Sequence, residues 1–338
     1  LWALPLARSW GALQYWFPYR DIMDESPEAL LPGAVAGLLG AQSQAEYQRV
    51  ILTFAAGAQD SHAGIGEFYG AIMREDARCT MPYSLRYIEG QLVIDGRTLQ
   101  PEGPLRRGAA LVAIGGKPVE PIVERIRPYM SSSNEDALGR NFLSEARLGP
   151  CETQVVDVIR GGSRVSVEVE WQTYRQHQIN SFAPHYQPGE TIETLPGNIT
   201  YARYQQLKKA DLDPLLEQAN ASAGLILDMR GYVGDNIIPE LGAMLIDAPA
   251  EFSRFTSPDV ATPGQFVWGD PKVLEPGADV KRCSVPVLAL LDHSAQSASE
   301  YATMAWRGAG VKVIGSRSTG ADGDVTRAPL PSGAQMSF

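Results

Sequence analysis

The chain has 338 residues, a length that suits two or three domains with substantial hydrophobic cores. Its formal net charge of -10 and pI of about 5.0, without a long basic run, argue against a nucleic-acid-binding surface. Because the three cysteines, Cys79, Cys151 and Cys283, lack C-x-x-C spacing, we predict buried thiols and neither a disulfide framework nor a zinc site.

The N-terminal region predicts helices and no membrane span. No window reaches the roughly 18 to 20 consecutive apolar residues that a span requires. Within residues 1–80, Trp10, Leu13 and Trp16 share one helical face, and Pro18 ends the first segment. Because the chain begins without Met or a charged segment, we expect that a signal peptide was removed before this numbering begins.

A later helix in this region leads to a loop with a candidate general base. The Ser43-x-x-Glu46 pattern opens the helix, apolar residues recur at helical spacing, and Gly57 weakens its end. His62 follows in the loop, where Ser61 is placed to hold its ring. A neutral imidazole can take a proton from a serine, which contributes on the order of a hundred- to ten-thousand-fold in rate.

Two other interpretations of His62 stay open on the residues alone. A loop histidine is often structural or simply exposed. The Asp60-x-His62 spacing could also bind a metal, but no further ligands cluster nearby in the sequence, so we predict no metal site.

Residues 83–172 have the alternating pattern of a compact, strand-rich module. The predicted strands are 91–94, 110–114 and 164–169, and the predicted helices are 121–130 and 133–147. From the residues alone, this module could be an interaction domain without catalysis.

The C-terminal half predicts strands that alternate with helices, which is typical of a parallel sheet. A polar connection from Gln176 to Pro196 precedes it. The predicted strands are 198–204, 224–235 with its glycine turn, 285–291 and 311–314. The predicted helices between them are 211–220, 237–246 and one that follows Ser297. Right-handed crossovers would place both strand-to-helix turns at the same sheet edge.

Ser297 is the candidate nucleophile because it sits where an apolar strand meets a helix. The strand 285–291 is apolar throughout, and alanines and Tyr301 recur at helical spacing afterwards. The first N–H groups of the helix lack internal partners and point at any oxyanion that develops there. The competing interpretation is a capping box, with Ser297 as N-cap and Glu300 stabilising the turn.

Three stretches carry a family resemblance. Residues 225–235 read L-I-L-D-M-R-G-Y-V-G-D, residues 294–300 read S-A-Q-S-A-S-E, and residues 104–119 read P-L-R-R-G-A-A-L-V-A-I-G-G-K-P-V. They resemble the L-I-L-D-L-R-G-N-x-G-G turn, the S-A-S-A-S-E nucleophile turn and the PDZ segment of the C-terminal-processing peptidases. This serine peptidase family includes the tail-specific proteases and the tricorn core.

The resemblance implies that Ser297 is the nucleophile and His62 the general base, oriented by Ser61. One branch of the family uses a Ser/Lys dyad, and the tricorn-like branch uses Ser and His with a distant acid. Residues 320–323 read G-A-D-G where the first branch has G-K-G, and no lysine follows Lys312. The stretch that ends at His62 is similar to the D-x-H loop of the second branch.

The resemblance also implies where the oxyanion hole and the acid lie. The oxyanion donors would be the Ala298 N–H and one N–H of the glycine turn, either Gly234 or Asp235. Losing one such donor typically costs about a hundred- to a thousand-fold in turnover. We expect the acid to lie beyond Phe338, with Asp322 as the local alternative.

These observations predict an α/β fold with three parts. They are an N-terminal helical segment (1–80), a PDZ-like domain (83–172) and a crotonase-like α/β core (173–338). The PDZ-like part would present an extended peptide by strand addition, although Ala109 replaces the aspartate usual in that segment.

The predicted function is that of a serine endopeptidase acting on peptide or unfolded-protein substrates, without a cofactor. The alternatives are a non-catalytic ligand- or peptide-binding protein on the same fold, and an esterase that uses the same residues. The resemblance favours a periplasmic or secreted protein and is compatible with a homo-oligomer.

Overall fold

A computed structural model describes residues 2–72, 78–95, 105–173 and 189–338. The chain divides into a first unit, Leu1–Pro184 with Val325–Phe338, and a second unit, His185–Asp324. The division into three parts stays a prediction. The sequence predictions that fall outside the described residues concern Pro104 of the PDZ-like segment and most of the connection from Gln176 to Pro196.

The helices and strands of the described residues follow the predicted order closely. The α-helices are α1 (Ala3–Trp16), α2 (Pro27–Gly40), α3 (Gln44–Ala56), α4 (Glu120–Ile126), α5 (Glu135–Ala146), α6 (Leu212–Asn220), α7 (Ile238–Leu245) and α8 (Ala298–Gly308). The 3₁₀ segments are Arg20–Ile22, Gly66–Ala71, Arg127–Tyr129, Tyr204–Gln206 and Lys209–Asp211.

The strands lie in both units. Those of the first unit are β1 (Cys79–Thr80), β2 (Leu85–Ile88), β3 (Gln91–Ile94), β4 (Ala110–Ile114), β5 (Lys117–Pro118), β6 (Leu148–Gly149), β7 (Thr153–Arg160), β8 (Ser163–Glu170) and β9 (Gln172–Thr173). Those of the second unit are β10 (Ile192–Leu195), β11 (Ile199–Arg203), β12 (Gly224–Asp228), β13 (Ala250–Ser253), β14 (Thr256–Pro258), β15 (Phe266–Trp268), β16 (Lys272–Leu274), β17 (Val287–Leu291) and β18 (Lys312–Gly315). The chain ends in the first unit with β19 (Arg327–Pro329) and β20 (Gln335–Ser337).

Helix α3 forms as its capping pattern predicts. The Ser43 hydroxyl accepts a hydrogen bond from the Glu46 N–H at 3.2 Å, which satisfies one of the free donors of the first turn. Tyr47, Ile51 and Phe54 are buried at helical spacing. The helix ends at Gly57, so the loop that carries His62 begins from a firmly packed element.

The first unit contains a six-stranded antiparallel sheet with the order β2-β3-β4-β7-β8, in which β5 pairs with β4. The predicted strands 91–94 and 110–114 are confirmed as β3 and β4. The predicted helix 121–130 ends earlier, because α4 gives way to a 3₁₀ turn at Arg127–Tyr129. Pro128 in that turn has no N–H to continue the α-helical pattern.

Two of the cysteines correct a sequence prediction. Cys79 and Cys151 form a disulfide, so the prediction of buried thiols is wrong for this pair. Antiparallel pairing of β1 with β6 sets Cys79 opposite Gly149, two residues before Cys151. This proximity arises from long-range strand pairing, which the spacing of the cysteines does not reveal. Cys283 is free and half-buried, and burial raises its pKa.

The second unit is organised around a five-stranded sheet with the order β10-β11-β12-β17-β18. Strands β11, β12, β17 and β18 run parallel, as predicted, and β10 is antiparallel to β11. Of β17 only Ala289 is fully buried, and the flanking residues are half-buried. The short pairs β13–β16 and β14–β15 were not predicted.

The sheet brings the two strand-to-helix turns of the second unit to one edge. Because β12 and β17 are adjacent and parallel, their carboxyl ends meet at the same side. The glycine turn at 231–235 follows the first of these strands, and the Ser297 turn follows the second. The predicted placement of both turns is confirmed.

Candidate active site

Ser297 occupies a tight turn between β17 and α8. Its backbone has φ 53° and ψ −120°, a conformation that residues with a side chain rarely adopt. A strained turn of this kind between a strand and a helix is how nucleophilic serines present their hydroxyl in other hydrolases. The local geometry therefore suits the role that the sequence predicts.

The turn has the arrangement that the capping interpretation of Ser297 predicts. The Ser297 N–H donates to the Glu300 carboxylate at 3.0 Å, and the Ser297 side chain lies at the Glu300 N–H, so both halves of a capping box are in place. The Glu300 N–H donates to the Ser297 carbonyl at 2.7 Å, and the Ser297 side chain makes no capping hydrogen bond among the described residues. Ser297 is half-buried.

Glu300 holds a second loop against this turn. Its carboxylate is buried and also accepts hydrogen bonds from the Thr319 hydroxyl and from the N–H groups of Gly320 and Ala321, at 2.7 to 3.1 Å. The Ser297 N–H in turn donates to the Ala321 carbonyl at 2.9 Å. Glu300 is thus a turn-stabilising carboxylate, as the sequence predicts.

The candidate oxyanion donors have no competing acceptors. Among the described residues, the N–H groups of Ala298, Gly234 and Asp235 donate no hydrogen bond. Gly234 also packs so closely that a Cβ there would lie 2.6 Å from the Gln205 carbonyl oxygen, so only glycine fits without a shift. These groups meet the chemical requirement for oxyanion donors, and their assignment stays a prediction.

Ser299 joins the glycine turn to the start of α8. Its hydroxyl is fully buried, accepts from the Val233 N–H at 3.0 Å and donates to the Gly231 carbonyl at 2.7 Å. The structure thereby brings the turn that contains Gly234 and Asp235 to the residue next to Ala298. Sequence reasoning missed this role, because Ser299 was considered only as part of a motif.

A buried ion pair supports the base of the glycine turn. The Asp228 carboxylate is fully buried and accepts hydrogen bonds from the Arg230 backbone and guanidinium at 2.8 to 3.0 Å, and from the Tyr201 hydroxyl. Burial, and then the hydrogen bond to Asp228, raise the pKa of Tyr201 to about 12. A hydrogen bond to the same carboxylate raises the pKa of Arg230, so the guanidinium stays protonated.

Asp322 lies at the end of the loop that Glu300 holds. Burial, and then the negative charge of Glu300, raise the pKa of Asp322 to about 6. It lines a cavity of about 740 Å³ together with Glu300, Met304 and Arg307. Its suggested role as a local acid stays a prediction.

His62 lies in the first unit, in a loop whose backbone is fixed by buried polar groups. The Asp60 carboxylate accepts from the His62 N–H at 2.6 Å, and the Asp60 N–H donates to the Ser131 hydroxyl at 3.0 Å. On the other side, the Ser337 hydroxyl donates to the His62 carbonyl at 2.9 Å. The loop is therefore held by both the preceding residues and the C-terminal strand.

Ser61 makes reciprocal hydrogen bonds with Ser133. The Ser61 N–H donates to the Ser133 hydroxyl at 3.0 Å, and the Ser133 N–H donates to the Ser61 hydroxyl at 3.1 Å. This pairing anchors the loop, and the proposed orientation of the His62 ring by Ser61 stays a prediction. Sequence reasoning missed Ser131 and Ser133, since their contacts span about 70 positions.

Two kinds of feature are absent from the part of the chain that the structure describes. No group of three or more His, Cys, Asp or Glu residues there could hold a metal ion. None of the helices in that part of the chain is long and apolar enough to cross a membrane.

Comparison with known proteins identifies the fold. No family model matches the chain, and no curated protein matches it by sequence. Mature CPAF has a similar structure, with a TM-score of 0.67 and 14% identity, over 100% of this chain and 89% of that one. The photosystem II D1 C-terminal processing protease has a TM-score of 0.51 and 14% identity, over 100% and 86%. The predicted resemblance to C-terminal-processing peptidases is confirmed in the fold.

Proposed function

We propose that the protein is a serine peptidase that hydrolyses peptide or unfolded-protein substrates through an acyl-enzyme on Ser297. The observation that carries the proposal is the Ser297 turn, in which a positive φ places this serine between β17 and the start of α8. The fold that the chain shares with mature CPAF and the D1 C-terminal processing protease adds support by analogy only, because function depends on the residues of the site and not on the fold.

In this mechanism the Ser297 hydroxyl oxygen attacks the substrate carbonyl carbon while His62 takes its proton. His62 then gives that proton to the leaving amine, and the acyl-enzyme forms as the peptide bond breaks. A water molecule then attacks the ester carbonyl while His62 takes its proton, and the bond to the Ser297 oxygen breaks as His62 returns that proton to it, which releases the carboxylic acid product. The N–H groups of Ala298 and of Gly234 or Asp235 would hold the negative oxygen.

Two observations support His62 as the base: the hydrogen bonds that hold its backbone, and the absence of a lysine from the loop at 320–323. Its backbone is held from both sides by Asp60 and Ser337, which suits a group that must keep a fixed position. The loop at 320–323 offers no lysine for a Ser/Lys dyad. Ser61 is proposed to orient the ring.

A fluorophosphonate probe with peptide mapping tests the nucleophile. We expect labelling of Ser297 in the wild type, none in Ser297→Ala, and a rate lower by about a hundred-fold or more in His62→Ala, since the base is lost. Ser294→Ala is the matched control, because this serine in the same turn already donates to Asp292. Labelling of another serine, or of none in a folded wild type, would contradict the proposal.

The alternatives predict different results in the same assays. An esterase would turn over small esters without cleaving peptides, and a binding protein would bind peptide while Ser297 stays unlabelled.

The antiparallel sheet β2-β3-β4-β7-β8 is proposed to be the PDZ-like part of a crotonase-like peptidase. Added extended peptide would then protect the amides of an edge strand from hydrogen exchange.

We also propose that the protein works in an oxidising compartment, such as the periplasm or the extracellular space. The Cys79–Cys151 disulfide supports this, because such bonds persist where thiols are not kept reduced. Thiol labelling of the protein in its native cells tests it, with one free thiol expected rather than three.

A further inference from the structure

We infer that Ser299 is a positioning residue, whose hydroxyl fixes the distance between the two halves of the oxyanion hole. This inference rests on the proposed peptidase function. The two candidate donors come from different elements, Ala298 from the start of α8 and Gly234 or Asp235 from the turn after β12. Their separation therefore depends on how the turn is held against the helix.

The Ser299 hydroxyl makes both of its strong hydrogen bonds to that turn. It accepts from the Val233 N–H at 3.0 Å and donates to the Gly231 carbonyl at 2.7 Å. These two groups lie on either side of Tyr232, and Val233 immediately precedes Gly234. Because a hydroxyl has one proton to donate, this arrangement defines both the direction and the position of the turn.

The contact differs from what a buried helical hydroxyl usually does. Serine and threonine inside helices commonly bond the carbonyl one turn earlier. Thr303 does this on the same helix, donating to the Ser299 carbonyl at 2.7 Å. Both side chains are buried, yet only Ser299 reaches across to another element. The pair provides a matched comparison of a bridging hydroxyl and a local one.

The test compares Ser299→Ala with Thr303→Ala in peptide turnover. We expect Ser299→Ala to lower kcat by about ten- to a hundred-fold with KM within about two-fold, because a misplaced donor weakens mainly the transition state. Thr303→Ala should leave kcat within about two-fold. A drop in both variants alike would assign the effect to helix stability and overturn the inference.

Amide hydrogen exchange provides a readout that does not depend on activity. In the wild type and in Thr303→Ala, the Val233 N–H should be protected, and in Ser299→Ala it should exchange at least about ten-fold faster. Unchanged exchange at Val233 would overturn the bridge. If Ser299→Ala does not fold, Ser299→Cys keeps the size with weaker hydrogen bonds and should show intermediate changes in both assays.

These outcomes separate the inference from the function on which it rests. A wild type that neither turns over peptides nor reacts with the fluorophosphonate refutes the peptidase, and with it the catalytic role of Ser299. A wild type that is active, with unchanged kcat in Ser299→Ala, refutes the positioning role alone.

Discussion

Ser297 keeps a conformation that favours glycine, although the residue is serine. Holding a side chain at φ 53° and ψ −120° costs of order 1–3 kcal/mol. Such a cost persists when the residue is needed for something other than stability, which is consistent with a nucleophile. The Glu300 carboxylate and the Ala321 carbonyl, which both accept from the Ser297 N–H, keep the turn in place.

This strain predicts the order of stability of two variants at position 297. Ser297→Gly should have a free energy of unfolding about 1–3 kcal/mol greater than Ser297→Ala, because glycine adopts this backbone without a Cβ clash. Urea unfolding of both variants measures the difference. At Ser294, whose φ is not positive, glycine should bring no such gain, so Ser294→Ala should be at least as stable as Ser294→Gly. An alanine variant at position 297 as stable as the glycine variant would contradict the strain.

Asp322 predicts a pH dependence of stability. Its folded pKa of about 6 lies above the value of about 3.9 in unfolded chains. Between these values the folded state binds a proton that the unfolded state lacks, so stability falls as the pH rises through this window. Asp322→Asn should therefore raise Tm above about pH 6 and have little effect near pH 4. Asp270→Asn, at an exposed aspartate that is not among the groups that raise the pKa of Asp322, is the control, and an equal Tm gain at both pH values would contradict the assignment.

At the scale of elements, the disulfide stabilises the first unit by restricting its unfolded state. It closes a loop of 72 positions, for which chain entropy gives about 4 kcal/mol. Reduction, or Cys79→Ser, should lower the free energy of unfolding by about that amount in urea titrations. Cys283→Ser is the control, since that thiol is free. A midpoint that reductant does not change would contradict this prediction.

The elements also show which features of the fold can be predicted from the sequence. Helix α3 was predictable because its cap, apolar face and final glycine are all local, and β12 and β17 because short apolar runs that alternate with helices favour strands of a parallel sheet. The Cys79–Cys151 bond and the two hydrogen bonds of Ser299 were not. Each joins groups more than 60 positions apart, and no local pattern encodes such a distance.

On the scale of the whole molecule, the architecture is retained at 14% identity to mature CPAF. A fold depends on apolar periodicity and turn residues, which many sequences satisfy, whereas chemistry depends on a few side chains. For that reason the resemblance of Asp228, Gly234 and Ser297 to a family pattern was informative in a chain that matches no family model.

The path of the chain has a consequence for its synthesis. The first unit begins at the N-terminus and is completed only by Val325–Phe338, with the whole second unit between these parts. The hydrogen bond from Ser337 to the His62 carbonyl joins residues 275 positions apart. At ribosomal rates of about 5–20 residues per second, the loop waits roughly 14 to 55 seconds for that partner. A nascent or prematurely terminated chain thus lacks the contact that holds the His62 loop until translation has passed Ser337.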